Sequence, residues 1–130
     1  MSTAVMNTPV TFAVPMPGLE AAHDFTLRSV DGAAGLFALE SMSPVPVRLF
    51  LADAAVFVPD YAPAVPARVR EDLELDQGET PQLLVVVNHS PEATTVNLMA
   101  PVLLNPGTGR CVQLVLDGRD YPLRAELKSA

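Results

Sequence analysis

The chain has 130 residues, of which 49% are hydrophobic and 18% are charged. This is enough apolar material for one domain with its own core, and too little chain for two domains. Eight basic residues against 15 acidic ones give a formal net charge of −7. Such a charge repels phosphate backbones and anionic membrane surfaces, so direct binding to nucleic acid or to a membrane is not expected. We predict a single β domain over residues 1–130, with a loose N-terminal segment over residues 1–9.

The N-terminal composition and the single cysteine indicate a cellular compartment. The first 19 residues carry no charged side chain and include three prolines, so they lack the basic start and the unbroken apolar helix of a secretory signal. No stretch approaches the roughly 18 apolar residues of a membrane span. Cys111 cannot form an intramolecular disulfide, and no cluster of Cys and His residues suggests a metal site. We expect a cytoplasmic protein without metal or cofactor, in which Cys111 is a small buried hydrophobic residue.

Short apolar runs separated by turn residues dominate the chain. The 13 prolines are spread so that long helices are excluded, and runs rich in Val, Leu and Phe are typical of a mostly antiparallel β domain. We predict strands over residues 10–14, 25–30, 36–39, 47–51, 56–58, 83–88, 95–104 and 111–116. Residues 105–109 join the last two runs as a hairpin turn, because their glycines suit positive φ.

One short helix and one acidic run lie between the fifth and sixth predicted strands. Val69 and Leu73 are four positions apart and Gly78 follows as a stop signal, which predicts a helix over residues 68–75. The densest charge run of the chain, residues 71–79, has five acidic residues and no basic one: Glu71, Asp72, Glu74, Asp76 and Glu79. Such a run is either a solvated surface or a docking surface for a basic partner, and the residues alone leave both open.

Common enzyme motifs are absent from the sequence. It contains no G-x-S-x-G elbow, no phosphate-binding G-x-x-x-x-G-K loop, no H-E-x-x-H and no G-x-G-x-x-G. His89 is followed by Ser90, but neighbours on a strand point to opposite faces, which makes them a poor catalytic pair. We expect no enzymatic activity. The alternative from another class is a small-ligand-binding barrel, or a hydrolase that uses His89 with a nearby carboxylate.

The most specific pattern lies in the C-terminal third. Residues 95–106 read TVNLMAPVLLNP and are followed by Arg110, Gln113 and DYPLR at residues 120–124. This pattern resembles the C-terminal signature of the flagellar assembly factor FliW family. Weaker matches lie in the same order upstream: Phe12, PGLE at 17–20, FTL at 25–27 and PDY at 59–61. The resemblance covers residues 12–127, and its signature residues are Asn97, Pro101, Asn105, Arg110, Tyr121 and Arg124.

The resemblance implies both a fold and a function. The implied fold is all-β, a strongly bent, barrel-like sheet, and the implied protein is a monomer when free. FliW-like proteins bind newly made flagellin, and they bind and antagonise the RNA-binding translational repressor CsrA, which couples flagellin translation to export. We therefore expect the acidic residues of 71–79 to face CsrA, with a flagellin chaperone that does not bind CsrA as the alternative. We expect structural roles for Asn97, Asn105, Arg110 and Tyr121, and leave the role of Arg124 open.

Overall fold

Strands are the main regular secondary structure of the computed structural model, which describes residues 7–14, 16, 24–41, 46–76, 78–116 and 125–126. The described strands, in chain order, are β1 Asn7–Phe12, β2 Asp24–Ser29, β3 Leu36–Ser41, β4 Val47–Asp53, β5 Gln82–His89, β6 Thr94–Leu104, β7 Arg110–Gln113 and β8 Ala125–Glu126. The described helices are α1 Ala54–Phe57 and α2 Ala67–Asp72. Neither helix is long and apolar enough to cross a membrane.

Seven of the strands close into a barrel. They follow the order β5-β4-β3-β2-β1-β7-β6, and β5 also pairs with β6, which completes the ring. The pairing of β1 with β7 is parallel and the other pairings are antiparallel. The short β8 adds to the start of β6. The predicted all-β, mostly antiparallel and barrel-like fold is confirmed, and closure leaves the seven strands without the free edges of an open sheet.

The core follows from alternation of side chains along the strands. In β2, Phe25 and Leu27 are buried whereas Asp24 and Thr26 are exposed, the period of two expected for a sheet with one wet face. The ring of Phe25 meets that of Phe12 edge to face, with centroids 5.3 Å apart. Two further apolar clusters lie outside the barrel, one that includes Val69 of α2 and one that includes Ala54 of α1. The two helices therefore cover parts of the barrel's outer surface.

A wide bulge bends β6, the longest strand. Leu84 pairs with Val102, but Val86 pairs with Asn97, so residues 98–101 lie opposite the single residue Val85. The bulged residues pair instead with the chain that follows β7. The N–H of Leu116 donates to the carbonyl of Met99, and the N–H of Leu114 donates to that of Pro101. Bulges of this kind raise the local twist of a strand. The predicted run 95–104 is thus one strand that turns a corner of the barrel.

The predicted strand over residues 56–58 is wrong, because the chain forms α1 there. Asp53 caps this helix: its side chain accepts the N–H of Ala55 at 3.0 Å. The helix also packs over Gly35, where an added Cβ would lie 3.2 Å from Val56 and Phe57. Cap and packing outweigh the β-propensity of the Val-Phe-Val run. The predicted helix 68–75 is confirmed as α2, which is shorter because Glu74 takes a left-handed φ of 58°.

The ends of the chain differ from the prediction in two places. Asn7 to Pro9, which we expected in a loose segment, belong to β1 and pair with β2. Strand β8 has only two residues and no apolar alternation, so no periodic signal predicted it. The upstream match at residues 17–20 and the signature residues Tyr121 and Arg124 lie outside the described residues.

Candidate functional site

The described residues of 71–79, called the acidic segment below, form the end of α2 and the loop after it. Four of the five predicted acidic side chains are exposed: Glu71, Glu74, Asp76 and Glu79. Asp72 is half-buried. The segment is anchored from beneath by Leu73, which is fully buried in the cluster between α2 and the barrel. This anchor places the five carboxylates on one short stretch of surface beside the β6–β7 hairpin.

Two signature residues hold the backbone of the acidic segment. Asn105 is only 4% exposed, and its Nδ2 donates to the carbonyl of Leu73 at 2.8 Å and to that of Glu74 at 3.3 Å. The Nε of Arg110 donates to the carbonyl of Asp72 at 2.8 Å. The last carbonyls of a helix lack partners within the helix, and these side chains supply them. The hairpin turn therefore positions the acidic segment chiefly through its backbone carbonyls.

A second arginine, Arg70, closes the loop after α2. The Nη2 of Arg70 donates to the carbonyls of Asp76 and Glu79, at 3.0 and 2.9 Å. The N–H of Asp76 donates to Oε1 of Glu79 at 2.7 Å. Arg110 also lies 3.7 Å from a carboxylate oxygen of Glu74. The segment thus carries five carboxylates, and the closest contacts of the two neighbouring guanidinium groups are to backbone carbonyls. Five negative charges beside two positive ones leave an excess of negative charge at this surface.

The remaining described signature residues lie at the β6 bulge. The Oδ1 of Asn97 accepts the N–H of Met99 at 2.9 Å, and Pro101 is buried with its carbonyl bonded to Leu114. The hydroxyl of Tyr61 donates to the carbonyl of Leu98 in the same bulge. These contacts fix the corner of β6 rather than present polar groups to solvent.

The predicted buried cysteine lies inside the barrel. Cys111 is 1% exposed and belongs to the central apolar cluster. Burial raises the pKa of its thiol to about 12. A thiol with such a pKa is almost entirely protonated near neutral pH and is a weak nucleophile.

A second surface feature, called the apolar groove below, lies at the other end of β5. It has a volume of about 740 Å³. Its lining comes from β3, β4, β5, β6, α1 and the turn before β3: Ala33, Ala34, Leu36, Phe50, Ala52, Phe57, Val87, His89 and Thr94. Phe50 is 41% exposed and Phe57 is 38% exposed. None of these lining residues is charged, so the groove suits apolar groups.

His89 lies in this groove, where its Nδ1 is 2.7 Å from Oγ1 of Thr94. A concave apolar pocket at His89 is the observation that favours a small-ligand-binding barrel. The hydrolase alternative also needs a carboxylate beside the imidazole, and the lining residues include none. Among the described residues, no group of three or more His, Cys, Asp or Glu side chains could hold a metal ion.

An ion-paired cluster lies on the same outer face as the groove. Glu40 accepts from Arg48 Nε at 2.8 Å and pairs with Arg28 Nη2 at 3.3 Å. The hydrogen bond from Arg28 is the largest influence that lowers the pKa of Glu40. Sequence reasoning predicted neither this cluster nor the groove, because cross-strand register assembles both from residues that are distant in the chain.

Comparison with known proteins identifies the family. The family model described as FliW protein matches residues 3–127. The flagellar assembly factor FliW of Thermotoga maritima is 32% identical over 117 residues, which cover 88% of this chain and 78% of the relative. That of Syntrophotalea carbinolica is 33% identical over 119 residues, or 91% and 85%. A crystal structure of a flagellar assembly factor FliW superposes with a TM-score of 0.81 at 21% identity, covering 93% of this chain and 86% of that one. The chain belongs to the FliW family.

Proposed function

We propose that this chain acts in flagellum assembly, as a non-enzymatic regulator that binds proteins in the cytoplasm. Its relatives are named flagellar assembly factors. In this proposal the chain binds newly made flagellin, and it binds and antagonises the translational repressor CsrA. Flagellin that awaits export occupies the regulator, and once export has depleted it, the freed regulator captures CsrA.

The acidic segment is the observation that carries the CsrA part of the proposal. A protein that binds RNA must present basic surfaces to phosphates, and a negative surface attracts such a partner. Asn105, Arg110 and Arg70 hold the segment mainly through its backbone. Its exposed carboxylates therefore stay at the surface in a fixed arrangement, in which Glu74 lies 3.7 Å from Arg110 and Glu79 accepts the N–H of Asp76. Complementary charge of this kind raises association rates and weakens with salt.

The groove and the overall charge support a protein-binding role over a catalytic one. His89 has Thr94 as its partner, and no carboxylate lines the groove beside it. The formal charge of −7 opposes direct contact with the RNA that CsrA binds. In this proposal the chain therefore acts on CsrA itself and not on the RNA.

Charge reversal in the acidic segment tests the CsrA interaction. The segment variant combines three exposed positions: Glu71→Lys, Glu74→Lys and Asp76→Lys. The control variant makes the same change in net charge at three exposed acids elsewhere: Asp31→Lys, Asp60→Lys and Glu92→Lys. With the organism's own CsrA at low salt, we expect the segment variant to associate at least tenfold more slowly than wild type. The control is expected to lose much less, because its substitutions lie outside the segment.

Calorimetric titration with CsrA, repeated after addition of flagellin, decides between the alternatives. Salt-sensitive CsrA binding that flagellin abolishes supports the proposed partner switch. Equal binding by the segment and control variants removes the acidic segment from the interface. Binding to flagellin alone reduces the protein to an export chaperone, and binding to neither partner favours the small-ligand alternative at His89.

A further inference from the structure

We propose that the apolar groove takes an amphipathic helix of flagellin, with a carboxylate of that helix paired to Arg48. This inference rests on the flagellin binding proposed above and adds the surface and the chemistry of recognition. A helix that docks in a groove presents apolar side chains at spacings of three and four residues. The groove supplies the complementary apolar floor, and the neighbouring arginine supplies the charge.

The floor of the groove is the outer face of the sheet where three strands run side by side. Phe50 pairs with Val87 across β4 and β5, and Leu36 pairs with Ala52 across β3 and β4. Phe57 of α1 forms one wall. A volume of about 740 Å³ lies within the range of roughly 300–1,000 Å³ typical of ligand sites. It can hold several apolar side chains from one face of a helix.

Exposed apolar surface is concentrated here. Five large hydrophobic residues are exposed among the described residues, and three of them line the groove or lie beside it: Phe50, Val56 and Phe57. Scattered exposed apolar side chains need no explanation, but a contiguous patch with polar surroundings marks an interaction surface. Phenylalanine is also among the residues that are enriched in the cores of protein–protein interfaces.

Charge beside the groove narrows the chemistry of the partner. Arg48 lies two residues before Phe50 on β4 and shares its outward face, about 7 Å along the strand. Its Nε bonds Glu40, yet 61% of its side chain is exposed, so the guanidinium stays accessible. Arg28 is more enclosed, because Glu40 pairs with it and Asp31 lies close enough to act on it. The accessible cation at the end of the groove is therefore Arg48, which favours an acidic residue next to the apolar stripe of the partner.

The same charges argue against a second copy of this chain as the occupant. Each copy carries a formal charge of −7, and two such copies repel each other when they approach. A small apolar ligand would leave Arg48 unused. A helix with an apolar stripe and an adjacent carboxylate uses both features.

The test uses two groove variants and two matched controls. The groove variants, Phe50→Gln and Arg48→Gln, each change one exposed side chain at the proposed surface. The matched controls make the same kinds of change outside the groove lining, at an exposed valine and an exposed arginine: Val115→Gln and Arg68→Gln. Thermal unfolding of each variant checks that the fold is kept. Calorimetric titration then measures the affinity for the organism's own monomeric flagellin and, separately, for CsrA.

We expect Phe50→Gln to weaken flagellin binding about tenfold or more and Arg48→Gln about threefold, the latter only at low salt. Both controls are expected to bind as wild type does, and CsrA affinity is expected to stay within twofold in all four variants. If wild type binds flagellin and the groove variants bind it equally well, the groove assignment is wrong while the proposed function stands. If wild type binds no flagellin, both the groove assignment and the proposed flagellin binding are wrong. Uptake of the anionic aromatic dye 1-anilinonaphthalene-8-sulfonate by wild type but not by Phe50→Gln would then favour a small ligand in the groove.

Discussion

Replacement of Asn105 with aspartate tests how the hairpin turn holds the acidic segment. The substitution preserves the shape of the side chain and its Oδ1, which accepts the N–H of Gly107 at 2.9 Å. It removes the Nδ2 donor, and it places a carboxylate oxygen where an amide nitrogen now lies 2.8 Å from the carbonyl of Leu73. The assignment of the two amide atoms is fixed by these partners, because one is a donor and the other an acceptor.

The expected cost follows from burial. A buried carbonyl left without its donor costs about 1–3 kcal/mol, and the new charge adds to this because Asn105 is almost fully enclosed. We expect Asn105→Asp to lower the free energy of unfolding by about 2–4 kcal/mol. For a chain of this length the midpoint of thermal unfolding should fall by roughly 10 °C.

The same substitution at Asn97 is the matched control. Asn97 uses its Oδ1 to accept the N–H of Met99, and an aspartate keeps that acceptor. Asn97→Asp is therefore expected to change the free energy of unfolding by about 0.5 kcal/mol or less. Urea unfolding followed by circular dichroism measures both variants. Equal losses at the two positions, or no loss at Asn105, would refute the assigned role of the Asn105 amide.

Three further predictions concern the barrel. Gly109→Ala should lower the free energy of unfolding by about 2–4 kcal/mol, since the φ of Gly109 is +80° and an added Cβ would lie 2.7 Å from the carbonyl oxygen of Pro9. The control Gly32→Ala, at a φ of +76° with open space around the added Cβ, should lower it by only about 1–2 kcal/mol. Tyr61→Phe should cost about 1 kcal/mol in urea unfolding, because it deletes one hydrogen bond to the β6 bulge. Cys111 should react with a thiol reagent at pH 8 only after unfolding. Because its folded pKa of about 12 lies above the ordinary 9.0, the stability it contributes is complete below pH 9 and falls as pH rises from 9 towards 12.

Local patterns predicted most of the strands but not the features formed by distant residues. Alternation along β2 and the turn glycines before β7 are properties of neighbouring residues, so those elements were predicted near their true bounds. The helix α1 was missed because its formation depends on the Asp53 cap and on packing over Gly35. Closure of the barrel was expected only from the family resemblance, since the parallel pairing of β1 with β7 joins residues about a hundred positions apart.

The same distinction applies to the two surfaces. The acidic segment is a contiguous run and was predicted as a group, although the contacts from Asn105 and Arg110 come from more than 30 positions away. The groove was not located from the sequence. Phe50 belongs to the run 47–51, for which only a strand was predicted. Its exposure on the outer face follows from the register of β3, β4 and β5.

The positions of the two surfaces constrain how the two proposed partners, flagellin and CsrA, could exclude each other. Gln82, at the start of β5, pairs with Leu104 just before Asn105, whereas His89, at its end, lines the groove. Seven residue steps at about 3.3 Å separate these ends by roughly 20 Å. A helix of about ten residues, roughly 15 Å long, is too short to span that distance when it is docked in the groove. We therefore expect a flagellin peptide of that length to leave CsrA affinity unchanged and full-length flagellin to reduce it, because only the larger partner can overlap the second surface. Competition by the peptide alone, measured in the same titration, would instead require coupling through β5 and β6.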